Sequence, residues 1–164
     1  MRTVFKSLLL ASLLSLVASP ALAQTVFRME NPYIGTWDID KQDSDFGGAE
    51  VPQTMSRTYA NLGDGAYMYL VASINPDGSL GGSSATYRYD QQLYPIANLN
   101  AVESAYISYR RENERTVEYT VQVDGEITQI GAKTISPDNR VLTIVIQYPN
   151  SDQKNQILRF NRRR

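Results

Sequence analysis

The sequence predicts an all-β fold, an antiparallel up-and-down β-barrel of roughly eight to ten strands that follows a cleaved N-terminal signal helix. Apolar and polar residues alternate along short segments, and turn signals recur about every 8–12 residues. No segment after the signal has helical periodicity. A flat meander would leave two unpaired strand edges, so we expect the sheet to close on itself.

The N-terminus has the pattern of a secretory signal peptide. Arg2 and Lys6 form a basic start, residues 8–17 form an apolar run, and the small-x-small pattern that signal peptidases cleave ends at Ala23. The apolar run is too short to span a bilayer. We therefore expect residues 1–23 to be removed and residues 24–164 to form one exported domain, periplasmic or extracellular, with no membrane span.

The turn residues divide the mature chain into strands. Asp124-Gly125 predicts a two-residue β-hairpin turn of the primed type. Asn75-Pro76-Asp77-Gly78 predicts a β-turn. Residues 41–52 read as a loop, and residues 91–102 as an irregular segment with one short strand or a turn of helix. The predicted strands are 33–40, 54–61, 66–74, 80–90, 103–111, 116–123, 126–135, 141–148 and 154–160.

Composition excludes several function classes. The chain has no cysteine and no histidine, which removes disulfides, thiol nucleophiles, serine–histidine–acid triads and imidazole zinc sites. Of 16 basic and 17 acidic residues, Arg2 and Lys6 leave with the signal, so the mature charge is −3. No basic field for nucleic acid remains, and the 162–164 arginine cluster reads as a solvated tail. We expect no catalytic site, cofactor or metal.

The first predicted strand contains Gly35-Thr36-Trp37. This Gly-x-Trp motif resembles that of the lipocalins and the wider calycin superfamily. The resemblance implies that Trp37 closes the barrel base and that a basic residue near the end of the last strand, Arg159 or Arg162, packs across it. The rest of the chain is similar to small secreted bacterial lipocalin-like proteins of unknown function. The resemblance implies a fold and carries no known activity.

Arg57 is a candidate ligand-binding residue. It has the same strand parity as Met55 and Tyr59, which would place a guanidinium between apolar groups on one face. Facing inward, it could hold a ligand carboxylate through a bidentate pair. The alternative is that this face meets solvent and Tyr59 is half exposed.

Tyrosines spaced by two residues suggest a second set of ligand contacts. Their rings would supply apolar area and their hydroxyls would orient a ligand, although tyrosine also simply suits strands. With Arg57, the candidate ligand-binding residues are Tyr59, Tyr67, Tyr69, Tyr87 and Tyr89.

Two charged clusters read as surface features. The acidic stretch from Asp38 to Glu50 lacks the spacing of a calcium loop and is interpreted as solvated. The arginines and glutamates of 110–118 are interpreted as exposed ion pairs.

The function that we expect from the sequence is non-catalytic binding of a small hydrophobic or amphipathic ligand inside a monomeric barrel. The alternative is a protein-interaction or inhibitor module that acts through the loops at the open end of the barrel.

Overall fold

The computed structural model describes residues 31–99 and 103–164, and within them the chain is all β. The predicted signal peptide and its cleavage site lie outside the described residues. The strands are β1 (Gly35–Asp45), β2 (Thr54–Gly63), β3 (Ala66–Ile74), β4 (Leu80–Tyr87), β5 (Tyr94–Asn98), β6 (Ala105–Arg111), β7 (Thr116–Val123), β8 (Glu126–Ile135), β9 (Val141–Gln147) and β10 (Gln156–Arg162).

The ten strands form one closed antiparallel barrel, as predicted. Each strand pairs with its neighbours in sequence, and β1 also pairs with β10, where Trp37 lies opposite Arg162 and Ile39 opposite Phe160. Closure leaves no unpaired sheet edge. Among the described residues, no helix is long and apolar enough to cross a membrane.

Tight turns set the register of the hairpins. Asp124 and Gly125 have φ angles of 48° and 86°, the two positive values that a type I′ turn requires. Asp64 and Gly65 adopt φ angles of 48° and 74° between β2 and β3. Because these turns follow the twist of the flanking strands, they fix which side chains face inward.

Three segments differ from the sequence prediction. β4 ends at Tyr87, so residues 88–90, predicted as strand, belong to the loop that follows it. β1 continues to Asp45 into the predicted loop, with an irregular register between Asp40 and Asp45. The 91–102 segment holds the short strand β5, in which Pro95 pairs with Tyr106, and the described part of it contains no helical turn. β5 pairs with β4 only at Ser83 and Ser84, so it is the most weakly held part of the wall.

The inward side chains form one core. Loops 64–65, 88–93, 112–115 and 136–140 lie at one end of the barrel, which we call the base, together with residues 31–34. The opposite end, which we call the open end, carries the loops that follow β1, β3, β5, β7 and β9. The largest fully buried side chains are Trp37, Tyr33, Tyr87, Phe160, Ile135, Leu142, Ile144 and Val117.

Candidate ligand-binding site

Trp37 and Arg162 close the base. The Trp37 ring is fully buried, and its Nε1 donates to the Tyr33 carbonyl at 2.9 Å. The Arg162 guanidinium lies over this ring, with Cζ 4.1 Å from the ring centroid. It also donates to the carbonyls of Ile34 and Asn139, at 2.7 Å each, and to the Pro32 carbonyl. A cation stacked on indole and hydrogen-bonded to main-chain oxygens fixes the N-terminal segment beneath the barrel.

Gly35 makes this arrangement possible. Its φ of 126° is a conformation that residues with a Cβ rarely adopt. A Cβ at this position would also lie 2.9 Å from Nη1 of Arg162. The glycine of the Gly-x-Trp motif therefore leaves room for the arginine that reaches past it.

Of the two basic residues proposed to pack on Trp37, only Arg162 does so. Arg159 is exposed on the outer face, opposite Asp40 and Thr143. Strand alternation explains the difference, because Leu158 and Phe160 point inward and the next inward position is 162.

Five of the six candidate ligand-binding residues lie on strands and face inward, whereas Tyr89 lies in the 88–93 loop at the base. Tyr59, Tyr69 and Tyr87 are buried, and Tyr67 and Tyr89 are partly buried against the core. Tyr67, Tyr69, Tyr87 and Tyr89 form a connected ring cluster with Tyr109, whereas the Tyr59 ring contacts that of Tyr33. The centroid of Tyr87 lies 4.2 Å from that of Tyr109 and 5.5 Å from that of Tyr89. Tilted and edge-on contacts of this kind favour a rigid aromatic layer.

Lys133, which the sequence pattern does not indicate as an inward residue, is enclosed by this layer. Its side chain is only 2% exposed, and its Nζ is buried without a hydrogen-bond partner. The Nζ lies 4.0 Å from the ring centroid of Tyr109 and 4.8 Å from that of Tyr59. Burial, followed by the charges of Arg57 and Arg111, holds the pKa of Lys133 well below its usual range.

Arg111 also points inward, which corrects its interpretation as a surface ion-pair residue. Its guanidinium lies over the Tyr89 ring at 4.2 Å, and its Nε and one Nη are buried without hydrogen-bond partners. The exposed ion pairs belong to Arg110, which contacts Glu112 at 2.9 Å and Glu118 at 2.7 Å.

Above the tyrosine layer the barrel contains a cavity of about 360 Å³. Ligand pockets in proteins typically measure about 300–1,000 Å³. Arg57, Tyr69 and Lys133 contribute its polar surface near the base, and the other candidate tyrosines lie below it. The apolar wall consists of Ile96, Ala105, Ile107, Val121, Ile144, Ile146 and Leu158.

Arg57 pairs with Trp37 in β1 and with Val71 in β3. The residue is half-buried, and its Nε is fully enclosed without a hydrogen-bond partner. Its Cζ lies 5.4 Å from the ring centroid of Phe160. An arginine stays protonated in such a setting, so part of its hydrogen-bonding capacity remains available to a ligand.

The acidic residues lie elsewhere. No Asp or Glu of the described residues is buried, and none lines the cavity. Asp38 instead pairs with Arg163, and Asp40 accepts hydrogen bonds from Asn161 and from the backbone of Gln42. Within residues 31–99 and 103–164, no group of acidic side chains could hold a metal ion. The cavity is therefore an amphipathic space with a cationic floor.

No protein-family model matches this chain, and no curated protein matches it in sequence.

Proposed function

We propose that this protein is an exported, non-catalytic, lipocalin-like barrel of the calycin type that binds a small amphipathic molecule in its interior. The cavity of about 360 Å³ above the tyrosine layer is the observation that carries the proposal. A barrel that served only as a stable wall would gain stability by filling this space with side chains, because interiors pack to high density.

The distribution of surface in the cavity supports an amphipathic ligand. Aliphatic side chains from β5, β6, β7, β9 and β10 form the wall, Arg57, Tyr69 and Lys133 supply polar atoms near the base, and Asn98, Gln129 and Gln156 supply polar atoms toward the open end. Pockets that bind small molecules combine such an apolar lining with a few placed polar groups.

The base supports the calycin assignment. The stacking of Arg162 on Trp37 next to Gly35 is the arrangement that the Gly-x-Trp resemblance implies. Export rests on the N-terminal pattern of residues 1–23.

Binding of N-phenyl-1-naphthylamine, a neutral fluorescent probe, tests the proposal. We expect the mature protein to enhance probe fluorescence, and Ala105→Phe, which adds a ring to the cavity wall, to abolish the enhancement. The matched control is Thr86→Phe, which places the same ring on the exposed outer face of β4, away from the cavity. A probe that does not bind, or that binds both variants equally, would overturn the proposal; thermal melts confirm that each variant is folded.

An exposed apolar patch favours a protein-interaction module as the second candidate function. Leu70, Leu80 and Leu99 are 47%, 62% and 61% exposed and line one groove on the outer wall near the open end. Exposed apolar patches often mark interaction sites. Sedimentation velocity of the protein and of Leu80→Ser/Leu99→Ser tests whether the patch promotes self-association: a monomer that the substitutions do not change would exclude this mode.

A further inference from the structure

Resting on the proposed function, we infer that the ligand is an anionic amphiphile, a carboxylate with a short apolar chain, whose head binds Arg57 above Lys133 and whose chain points to the open end.

The charge balance of the interior supports an anion. Arg57 and Arg111, whose guanidinium groups stay protonated, both point inward, and each has at least one buried nitrogen without a hydrogen-bond partner. The described residues supply no buried carboxylate to balance them. Buried charges in proteins are normally paired, because an unpaired cation loses its hydration without compensation. A bound anion would supply the missing counter-charge.

The position of Arg57 selects the head group. Among the residues that line the cavity, Arg57 is the one guanidinium, and its planar fork matches the two oxygens of a carboxylate. Enclosure by apolar and aromatic side chains strengthens such a pair, because few water molecules compete for it.

Lys133 reinforces the same preference. Its Nζ lies at the floor of the cavity among the tyrosine rings, where burial first and then the charges of Arg57 and Arg111 oppose its protonation. A carboxylate on Arg57 offsets that repulsion, so binding an anion favours the ammonium form. Lysine donates to oxygen as a compact charge, complementing the bidentate arginine.

The strand register sets the direction of the chain. Arg57 is one inward position deeper than Met55, whereas Asn98 and Val123 end their strands and Gln156 begins β10, all at the open end. The aliphatic wall lies between these two levels. A carboxylate at the floor thus places an alkyl chain along apolar side chains and its end near the rim.

Calorimetric titration with octanoate, 1-octanol and octylamine at pH 7.5 separates the contribution of the head-group charge to affinity from that of the alkyl chain. These probes share an eight-carbon chain and differ in head group. We expect octanoate to bind about ten- to a hundredfold more tightly than octanol, which is the range for hydrogen bonds to charged groups, and octylamine to bind most weakly.

Two variants test whether Arg57 is responsible for the preference for octanoate over octanol. Arg57→Met should remove most of the preference for octanoate over octanol and leave octanol affinity unchanged. Arg159→Met, which removes the same charge from the outer face, should change neither. Thermal melts establish that both variants fold.

The outcomes separate this inference from the proposed function. If octanol and octanoate bind with equal affinity, the proposed ligand-binding function stands and the inference that the ligand has an anionic head group is wrong. If octanoate preference persists in Arg57→Met, the assigned site is wrong. If none of the three probes binds the parent protein and N-phenyl-1-naphthylamine does not bind either, both the inference and the proposed function fail.

Discussion

Replacing Lys133 with methionine should stabilise the protein at neutral pH, and the gain should shrink as pH rises. Lys133 is enclosed by tyrosine rings, and burial together with the charges of Arg57 and Arg111 lowers its pKa. In the unfolded chain the same amine has a pKa of about 10.4. Between the lowered pKa and this value, the unfolded state binds one proton that the folded state does not.

The size of the effect follows from proton linkage. The free energy of unfolding of the parent protein should gain about 1.4 kcal/mol per pH unit from Lys133 in this window, so stability rises with pH. Lys133→Met lacks this contribution. Its stability advantage should therefore decrease as pH rises, by at most about 2 kcal/mol between pH 8 and pH 9.5.

Urea denaturation followed by circular dichroism at pH 7, 8, 9 and 9.5 measures the difference. The range stops below pH 10, where unfolded tyrosines ionise while burial raises the pKa of Tyr59, Tyr69 and Tyr109, so stability falls in both proteins. Lys154→Met, at an exposed position, is the matched control and should run parallel to the parent. Parallel curves for the parent and Lys133→Met would refute a buried lysine with a lowered pKa.

Four further substitutions test the base and the surface by urea denaturation. Arg162→Ala should cost about 2–3 kcal/mol, because it removes charge-assisted hydrogen bonds and the contact with Trp37, whereas Arg159→Ala should stay within about 0.5 kcal/mol. Equal losses of stability in the two variants would contradict the packing of Arg162, and not Arg159, on the Trp37 indole. Gly35→Ala should cost about 1–3 kcal/mol, since it combines a positive φ with a clash against Arg162, and a neutral effect would contradict this. Arg110→Ala should cost at most about 1 kcal/mol and nothing at high salt, and a loss that salt does not reduce would show that its ion pairs are more than surface contacts.

Strand positions were predictable wherever alternation and turn chemistry agreed. β3, β7 and β8 begin and end as predicted, and each adjoins a turn that contains glycine at positive φ. β1 was predicted too short, because the polar residues after Asp40 read as a loop while the backbone continues to pair with β10. The pairing of β1 with β10, which closes the barrel, joins strands from opposite ends of the chain, and local sequence patterns carry no information about it.

The inward cations were harder to predict, for two different reasons. Arg111 shares parity with Ile107 and Tyr109, so a signal existed, but the adjacent charges at 110 and 112 suggested solvent. Lys133 lies in β8 beyond a register irregularity at Val121 and Gln122 of β7, which shifts the inward positions of β8. Ile127 and Ile130 consequently face outward or partly outward, and they obscure the pattern that places Lys133 inside.

The cavity was not predictable at all. Alternation identifies which side chains share a face, but the free volume between them depends on strand tilt and on which rotamers fill the barrel. The side chains of Tyr69 and Tyr87 both face the interior of the barrel. Tyr69 nevertheless lines the cavity, whereas Tyr87 packs in the layer below it.

A crystal structure of the protein with 8-bromooctanoate would test the central claim most directly, because the bromine marks the end of the chain by anomalous scattering. We predict carboxylate oxygens within hydrogen-bonding distance of the Arg57 guanidinium and the bromine near Val123 and Gln156 at the open end. A bromine beside Leu80 on the outer wall, or a chain end at the tyrosine layer with the carboxylate at the rim, would contradict the account.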